Sequence, residues 1–276
     1  MGKRLYLDCT SGISGDMFVA ALLDLGADEK ELIAGLKSIA DDGFDIKISK
    51  VEKSGIACTD FDVVLDEMHD GHDHDMEYLY GHLNGHQRAA DNHLETPHKE
   101  HKHQGHRDLA EIKEIISKTT FHDKTKKLAE KIFEILADAE AKAHGIPKEE
   151  VHFHEVGAID SIVDVLAAAY LVEALDVKQV YVPYLSEGQG SVRCRHGILP
   201  VPVPAVTNIV STHSIPMKIT EVQGELVTPT GAAIVAAIMT SDKPPEIFKI
   251  EKTGYGAGKR EYNTAGYLRA MLISNE

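Results

Sequence analysis

Leu5-Tyr6-Leu7-Asp8-Cys9-Thr10-Ser11-Gly12-Ile13-Ser14-Gly15-Asp16-Met17-Phe18-Val19-Ala20-Ala21-Leu22-Leu23 decides the class of fold. Leu5-Tyr6-Leu7 has the apolar run of a short buried strand and stops at an acid. Residues 9–16 are small or polar and make a turn. Residues 17–23 are apolar on every face and predict a buried helix ending near Gly26. A strand, a glycine-bearing turn and a buried helix in that order open an α/β fold. Working outward, residues 28–39 predict a second helix with Asp28 as its N-cap. Phe44-Asp45-Ile46-Lys47-Ile48 alternates as a strand, and residues 61–65 return as its hairpin partner across a turn near Ser54-Gly55. Helices are expected over 109–117, 122–144 and 156–175, the second ended by Gly145-Ile146-Pro147. Val180-Tyr181-Val182 is a strand, and Pro200-Val201-Pro202-Val203-Pro204 is a stiff lead into a helix over 205–210. Short extended pieces follow at Lys218-Ile219-Thr220 and Leu226-Val227. Thr228-Pro229-Thr230-Gly231 leads into a helix over 232–240, and strands over 246–253 and 266–273 close the chain. Gly254-Tyr255-Gly256-Ala257-Gly258 reads as a loop or bulge in the last hairpin. The expected architecture is a single α/β region over 1–276, a mixed sheet with flanking helices.

Residues 68–107 break this pattern. They hold ten histidines (His69, His72, His74, His82, His86, His93, His98, His101, His103 and His106), many acids and glycines, and almost no aliphatic side chains. Such a stretch buries too little apolar surface to offset its ordering entropy, so a disordered His-rich insertion is expected. Imidazole suits nickel, zinc, copper and cobalt. Irregular spacing over a flexible loop fits metal storage or delivery rather than one rigid centre, with His69, His72, His74, His101 and His103 among the ligands.

Composition narrows the function. Acids outnumber bases 44 to 29, a net charge of −15, which repels a phosphate backbone and disfavours nucleic-acid binding. Three cysteines, Cys9, Cys58 and Cys194, are scattered and odd in number, so neither a disulfide framework nor a CxxC site is indicated. The longest apolar runs, 165–172 and 232–239, fall far short of the roughly 20 residues of a membrane span. The N-terminus lacks a signal-peptide core, so a cytoplasmic location is expected.

Three constellations carry possible chemistry. In the first, Asp8 ends a strand and Ser11, Gly12 and Asp16 lie in the turn to a helix, the place where open α/β sheets bind ligands. Backbone N–H groups there favour an anion and the two acids a cation; the plainer reading is a tight turn with Asp16 capping the helix. In the second, His152 and His154 face the same way along an extended chain, Glu155 follows, and Asp160 and Asp164 lie one turn apart on an otherwise apolar helix. Two imidazoles and up to three carboxylates suit a divalent transition ion; the plainer reading is surface histidines and acids paired with lysines. In the third, Arg193 and Arg195 alternate and can clamp a phosphate or carboxylate. Thr228 and Thr230 open a helix whose N–H groups can do the same. Cys194 offers a soft ligand or simple packing.

In chain order, Tyr6–Met17, the His-rich insertion, His152–Asp164, His196–Ala205 and Gly224–Ala233 together resemble the LarC family of nickel-insertion proteins. The resemblance covers essentially the whole chain. It implies insertion of nickel into pyridinium-3,5-bisthiocarboxylic acid mononucleotide, giving the nickel-pincer cofactor of lactate racemase. That reaction is a CTP-dependent cyclometallation of the lyase class, aided by Mn2+ or Mg2+, with a lactate racemase-type apoenzyme as recipient. It also implies a C-terminal CTP-binding domain, which full-length members carry and this sequence lacks, so this chain is expected to be the metal-handling part. A homo-oligomer is expected. Asp8, Asp16, His154 and Glu155 are the candidate catalytic groups, with His154 or Glu155 as the proton acceptor. His152, His154, Asp160 and Asp164 are the candidate metal ligands. Ser11, Gly12, Arg193, Arg195, Thr228 and Thr230 are the candidate nucleotide-binding groups. The competing reading is a nickel storage or delivery protein with no chemistry of its own; a metal-dependent phosphohydrolase fits more loosely.

Overall fold

The computed structural model describes residues 2–39, 43–65, 107–153, 156–194 and 196–274. Its strands are β1 Lys3–Asp8, β2 Phe44–Lys53, β3 Ile56–Leu65, β4 Arg107–Asp108, β5 His152–Phe153, β6 Val177–Tyr181, β7 Leu185–Gln189, β8 Ser191–Cys194, β9 Gly197–Pro200, β10 Met217–Gln223, β11 Lys249–Ala257 and β12 Tyr267–Ser274. Its helices are α1 Gly15–Asp24, α2 Glu29–Leu36, α3 Leu109–Lys118, α4 Asp123–His144, α5 Ile159–Ala174, α6 Pro204–His213 and α7 Pro229–Ile238.

Six strands form one mixed sheet in the order β2-β3-β11-β12-β1-β6. The pairs β2/β3, β11/β12 and β12/β1 are antiparallel, while β3/β11 and β1/β6 are parallel. The α/β class with a mixed sheet and flanking helices is therefore what the chain adopts. Beyond β1 the chain is continued sideways by a bridge from Cys9 to Leu185 at the start of β7, which pairs in parallel with β10. The His-rich insertion lies outside the described residues, between β3 and β4. No helix among the described residues is long and apolar enough to cross a membrane.

The central helix explains the sheet. Eight of the ten residues of α1 are buried, so it is covered on all sides, as its all-round apolar sequence requires. It lies against β3 and β11 on one side and α5 on the other. The helix comes so near β11 that a Cβ on Gly256 would stand 1.9 Å from the Met17 carbonyl oxygen, and one on Gly254 2.2 Å from that of Ala21. The glycine run read as a loop or bulge is thus largely strand. Gly254–Ala257 pair in register with Ala270–Tyr267, and the glycines are there because a helix backbone lies on them.

Other local expectations hold for stated reasons. The Asp28 carboxylate accepts from the Lys30 and Glu31 N–H groups. The hairpin pairs Phe44 with Leu65 through Lys53 with Ile56. Gly145 ends α4 in the left-handed region at φ 67°. The helix expected over 156–175 starts at Ile159 instead. Gly157 sits tight on Phe153, with a Cβ position 2.8 Å from the Phe153 Cβ, and the Gly157 carbonyl accepts from Arg107 Nη1 at 2.9 Å, so the chain turns before it coils.

Substituting Gly256→Ala should destabilise the protein by about 1–3 kcal/mol, the usual cost of overpacking. Urea unfolding reads this directly, and an unchanged midpoint would mean that α1 does not lie on β11 as described.

Candidate functional site

The turn after β1 and the approach to α7 are stitched together. Ile13 N–H donates to the Leu226 carbonyl at 2.9 Å, and Thr228 N–H donates to that of Ile13 at 3.1 Å. Gly12 takes φ +88°, and a Cβ there would meet the Leu226 carbonyl oxygen at 2.1 Å. Gly231 is equally constrained, its Cβ position lying 2.4 Å from the Ile13 oxygen. Two glycine-bearing motifs more than 200 residues apart are therefore one seam.

The N-terminus of α1 faces α5. The Asp164 carboxylate lies on the first turn of α1, where a Cβ on Gly15 would stand 2.5 Å from Asp164 Oδ2, and the Asp16 carboxylate accepts from the Ser14 hydroxyl. The N-cap of α1 is Ser14 rather than Asp16. The helix end that might have taken a phosphate is thus occupied by the protein's own carboxylates.

Above this seam lies a cavity of about 740 Å³, within the roughly 300–1,000 Å³ of small-molecule sites. One wall is acidic: Asp16, Asp160 and Asp164. Burial pushes the Asp164 carboxyl well above the usual range, and the charges of Asp16 and Asp160 push it the same way. Burial also raises Asp16, against the Ser14 hydrogen bond and the nearby Lys259 ammonium. The same cavity is also lined by basic groups: Arg193 of β8, and Lys259 and Arg260 beyond β11. Lys259 Nζ binds Asp60 at 2.7 Å and Asp62 at 3.2 Å, and Arg260 Nη1 binds Glu225 at 2.6 Å. Burial alone would lower the Lys259 ammonium, but the Asp60 hydrogen bond and the charges of Asp60, Asp62 and Asp16 hold it above its ordinary value. Thr228 and Thr230 line the cavity at the mouth of α7, with the Thr228 hydroxyl accepting from Gly231 N–H at 3.1 Å.

The structure thus brings together Ser11, Asp16, Asp160, Asp164, Arg193, Thr228 and Thr230 of the expected residues. It places others elsewhere. Asp8 faces Arg269, and its carboxyl is held below the usual range: burial would raise it, but Thr10 and Arg269 outweigh that. Gly12 shapes the seam but does not line the cavity. His152 is exposed on β5 beside Asp108 and is not part of the cavity wall. His154, Glu155, Arg195, His69, His72, His74, His101 and His103 lie outside the described residues. Lys259, Arg260, Asp62, Glu225, His144 and His196 are wall residues that sequence reasoning missed. The Lys259-Arg260 dipeptide, directly after the glycine run, was the signal available for two of them.

The acidic wall suits a hard divalent cation such as manganese or magnesium, which oxygen donors prefer. A cation there would relieve the mutual repulsion that keeps Asp16 and Asp164 reluctant to ionise. Among the described residues no three His, Cys, Asp or Glu side chains already form a metal-holding group.

Against this geometry, the chain matches the family described as nickel insertion protein over residues 5–276. It belongs to that family. A relative from Alkaliphilus metalliredigens, named pyridinium-3,5-bisthiocarboxylic acid mononucleotide nickel insertion protein, is 48% identical over 100% of this chain and 61% of its own length. Relatives of the same name from Clostridium acetobutylicum and Acetivibrio thermocellus are 44% and 41% identical, over 99% and 98% of this chain and 64% and 60% of their own lengths. This nickel insertion family member therefore spans about three fifths of the relatives it matches. No solved structure matches it.

Behind the seam, Glu187 of β7 is fully buried. Its Oε1 accepts from Gly188, Leu226 and Val227 N–H at 2.8, 2.7 and 3.2 Å, while Oε2 has no partner among the described residues. Burial, aided by the Glu225 charge, pushes this carboxyl from 4.5 up to about 7. An acid whose pKa rises on folding favours the folded state while protonated. That contribution is complete below about pH 4.5 and is lost as pH rises through about 7. Thermal unfolding of wild type should show this loss of stability between those limits. Glu187→Gln should show a flatter pH dependence there, and equal slopes in the two proteins would contradict the assignment.

Proposed function

We propose that this chain inserts nickel into pyridinium-3,5-bisthiocarboxylic acid mononucleotide, as the names of its relatives state for those proteins, and that the cavity over the α1–α7 seam is where substrate and ion meet. The observation that carries this reading is one mononucleotide-sized cavity lined both by the carboxylates of Asp16, Asp160 and Asp164 and by the cationic groups of Arg193, Lys259 and Arg260. The substrate's name specifies its demands: one phosphate, two thiocarboxylates and a cationic ring. Arg193, Lys259, Arg260 and the Thr228–Thr230 turn suit the anionic groups. Asp16, Asp160 and Asp164 suit a cation. Arg195 stays a candidate phosphate ligand on the sequence argument alone.

Cyclometallation forms a nickel–carbon bond as a ring C–H bond breaks, and the proton needs an acceptor. His154 or Glu155 fills that role on the sequence argument. We place Mn2+ or Mg2+ with the acidic wall, where it would neutralise charge on a bound nucleotide. CTP use is assigned to a separate C-terminal domain, the product to a lactate racemase-type apoenzyme, and the surroundings to the cytoplasm. The histidines of the insertion serve as the nickel reservoir, and a homo-oligomer remains the expected assembly.

The test is metallation in vitro. The purified chain is mixed with the bisthiocarboxylated nucleotide, nickel, manganese and CTP, with and without a separately produced C-terminal domain, and product is read by mass spectrometry. Product is expected when that domain is added. The double substitution Asp16→Asn with Asp164→Asn should lower the rate at least about tenfold, because it removes two of the carboxylates that hold the divalent cation. Nickel binding without product in either mixture would favour a storage or delivery protein.

A further inference from the structure

The same cavity carries a second cluster that the insertion chemistry above does not use. Cys194 ends β8 and His196 lies in the turn to β9, opposite the end of α4, where His144 is the last residue and Glu140 lies one turn before it. All four line the cavity. Cys194 Sγ is 4.0 Å from His196 Nδ1. The His144 and His196 rings are 4.9 Å apart between centroids, inclined at 45°. Glu140 Oε2 is 3.4 Å from His144 Nε2.

We propose that Cys194 and His196, with His144 as a third donor, form a docking site for a borderline-soft divalent transition ion on the cavity wall. Thiolate and imidazole bonds to such an ion are about 2.3 and 2.1 Å, so the two atoms can share one ion when separated by up to about 4.4 Å. The 4.0 Å separation already satisfies this. A carboxylate beside one ring nitrogen is the usual outer support of a metal-ligating histidine, and Glu140 Oε2 lies 3.4 Å from His144 Nε2, placed for that role. The C-terminal end of α4 points its partial negative charge toward the same place, which favours a cation. Cys9 and Cys58 are buried, whereas Cys194 is partly exposed. Burial also pushes both the Cys9 and the Cys58 thiol up, so neither competes as a thiolate.

The incompleteness of the cluster is part of the argument. Closed sets of four protein ligands hold structural ions, and sites that exchange ligands keep positions open. A cargo ion that must pass to the sulfurs of a substrate needs a site with two or three protein donors and room for the rest. Binding replaces the thiol proton of Cys194, which leaves to solvent as the sulfur–metal bond forms. The identity of the ion as nickel rests on the nickel-insertion reading; the existence of the site does not.

The experiment titrates the full chain with nickel alone and follows thiolate-to-nickel charge-transfer absorption, a signal that histidine ligation does not produce. Wild type should show the band, and Cys194→Ser should lose it with its circular dichroism unchanged. His196→Ala should raise the half-saturating nickel concentration at least about tenfold, since even outer-sphere partners cost that much. No band in wild type, or a band that survives Cys194→Ser, would overturn the proposal. The metallation assay separates the two readings. A band without metallation keeps the site and removes nickel insertion. Metallation by Cys194→Ser at the wild-type nickel requirement keeps insertion and takes the site out of the insertion route, overturning its role in delivering nickel.

Discussion

The packing of the Asp164 carboxylate of α5 on the first turn of α1, so close that a Cβ on Gly15 would stand 2.5 Å from Asp164 Oδ2, is the constraint on which the site depends. It fixes the start of α1 against α5 and brings Asp16 beside Asp164 and Asp160. The price is electrostatic: acids in a half-enclosed wall, two of them reluctant to ionise. A functional site is the common reason for such an arrangement, because perturbed carboxylates in a cleft are poised for cation binding or proton transfer. The seam from Ile13 to Leu226 and Thr228 extends the same constraint to α7, and Glu187 braces it from behind through Leu226 and Val227.

The cavity is electrostatically divided rather than uniform. Lys259 and Arg260 are neutralised in part by Asp60, Asp62 and Glu225, so the basic wall is held in place by its own ion pairs. A ligand carrying both anionic and cationic groups meets groups of both signs there, which favours orientation as much as affinity. A protein of net charge −15 thereby keeps a local place for anions.

Much of this was readable along the chain where local chemistry decides. Asp28 and Thr228 cap their helices as their residue types require, and the β2–β3 hairpin follows from alternation and a glycine turn. Asp160 and Asp164 lie on one face because helical spacing puts them there. The rest depended on tertiary contacts. β7, Leu185-Ser186-Glu187-Gly188-Gln189, has no alternating pattern, since its first four residues are all buried. Gly254 and Gly256 looked like a loop because their purpose, a helix lying across them, comes from α1. Asp8 stands at a strand end as read, but its ion pair with Arg269, 261 residues away, could not be seen along the chain. Lys259 and Arg260 join the site only because β11 lies beside β3.

The central claim is that Asp16 and Asp164 share a wall in which a proton stays until a cation replaces it. Infrared difference spectroscopy of the protonated-carboxyl C=O stretch tests it most directly. In wild type the band should persist to pH values above the usual carboxylate range, be missing there from the Asp164→Asn spectrum, and disappear when manganese and the nucleotide substrate are added together. An Asp164 carboxyl already ionised in the free protein, with spectra of wild type and variant superimposing, would contradict it.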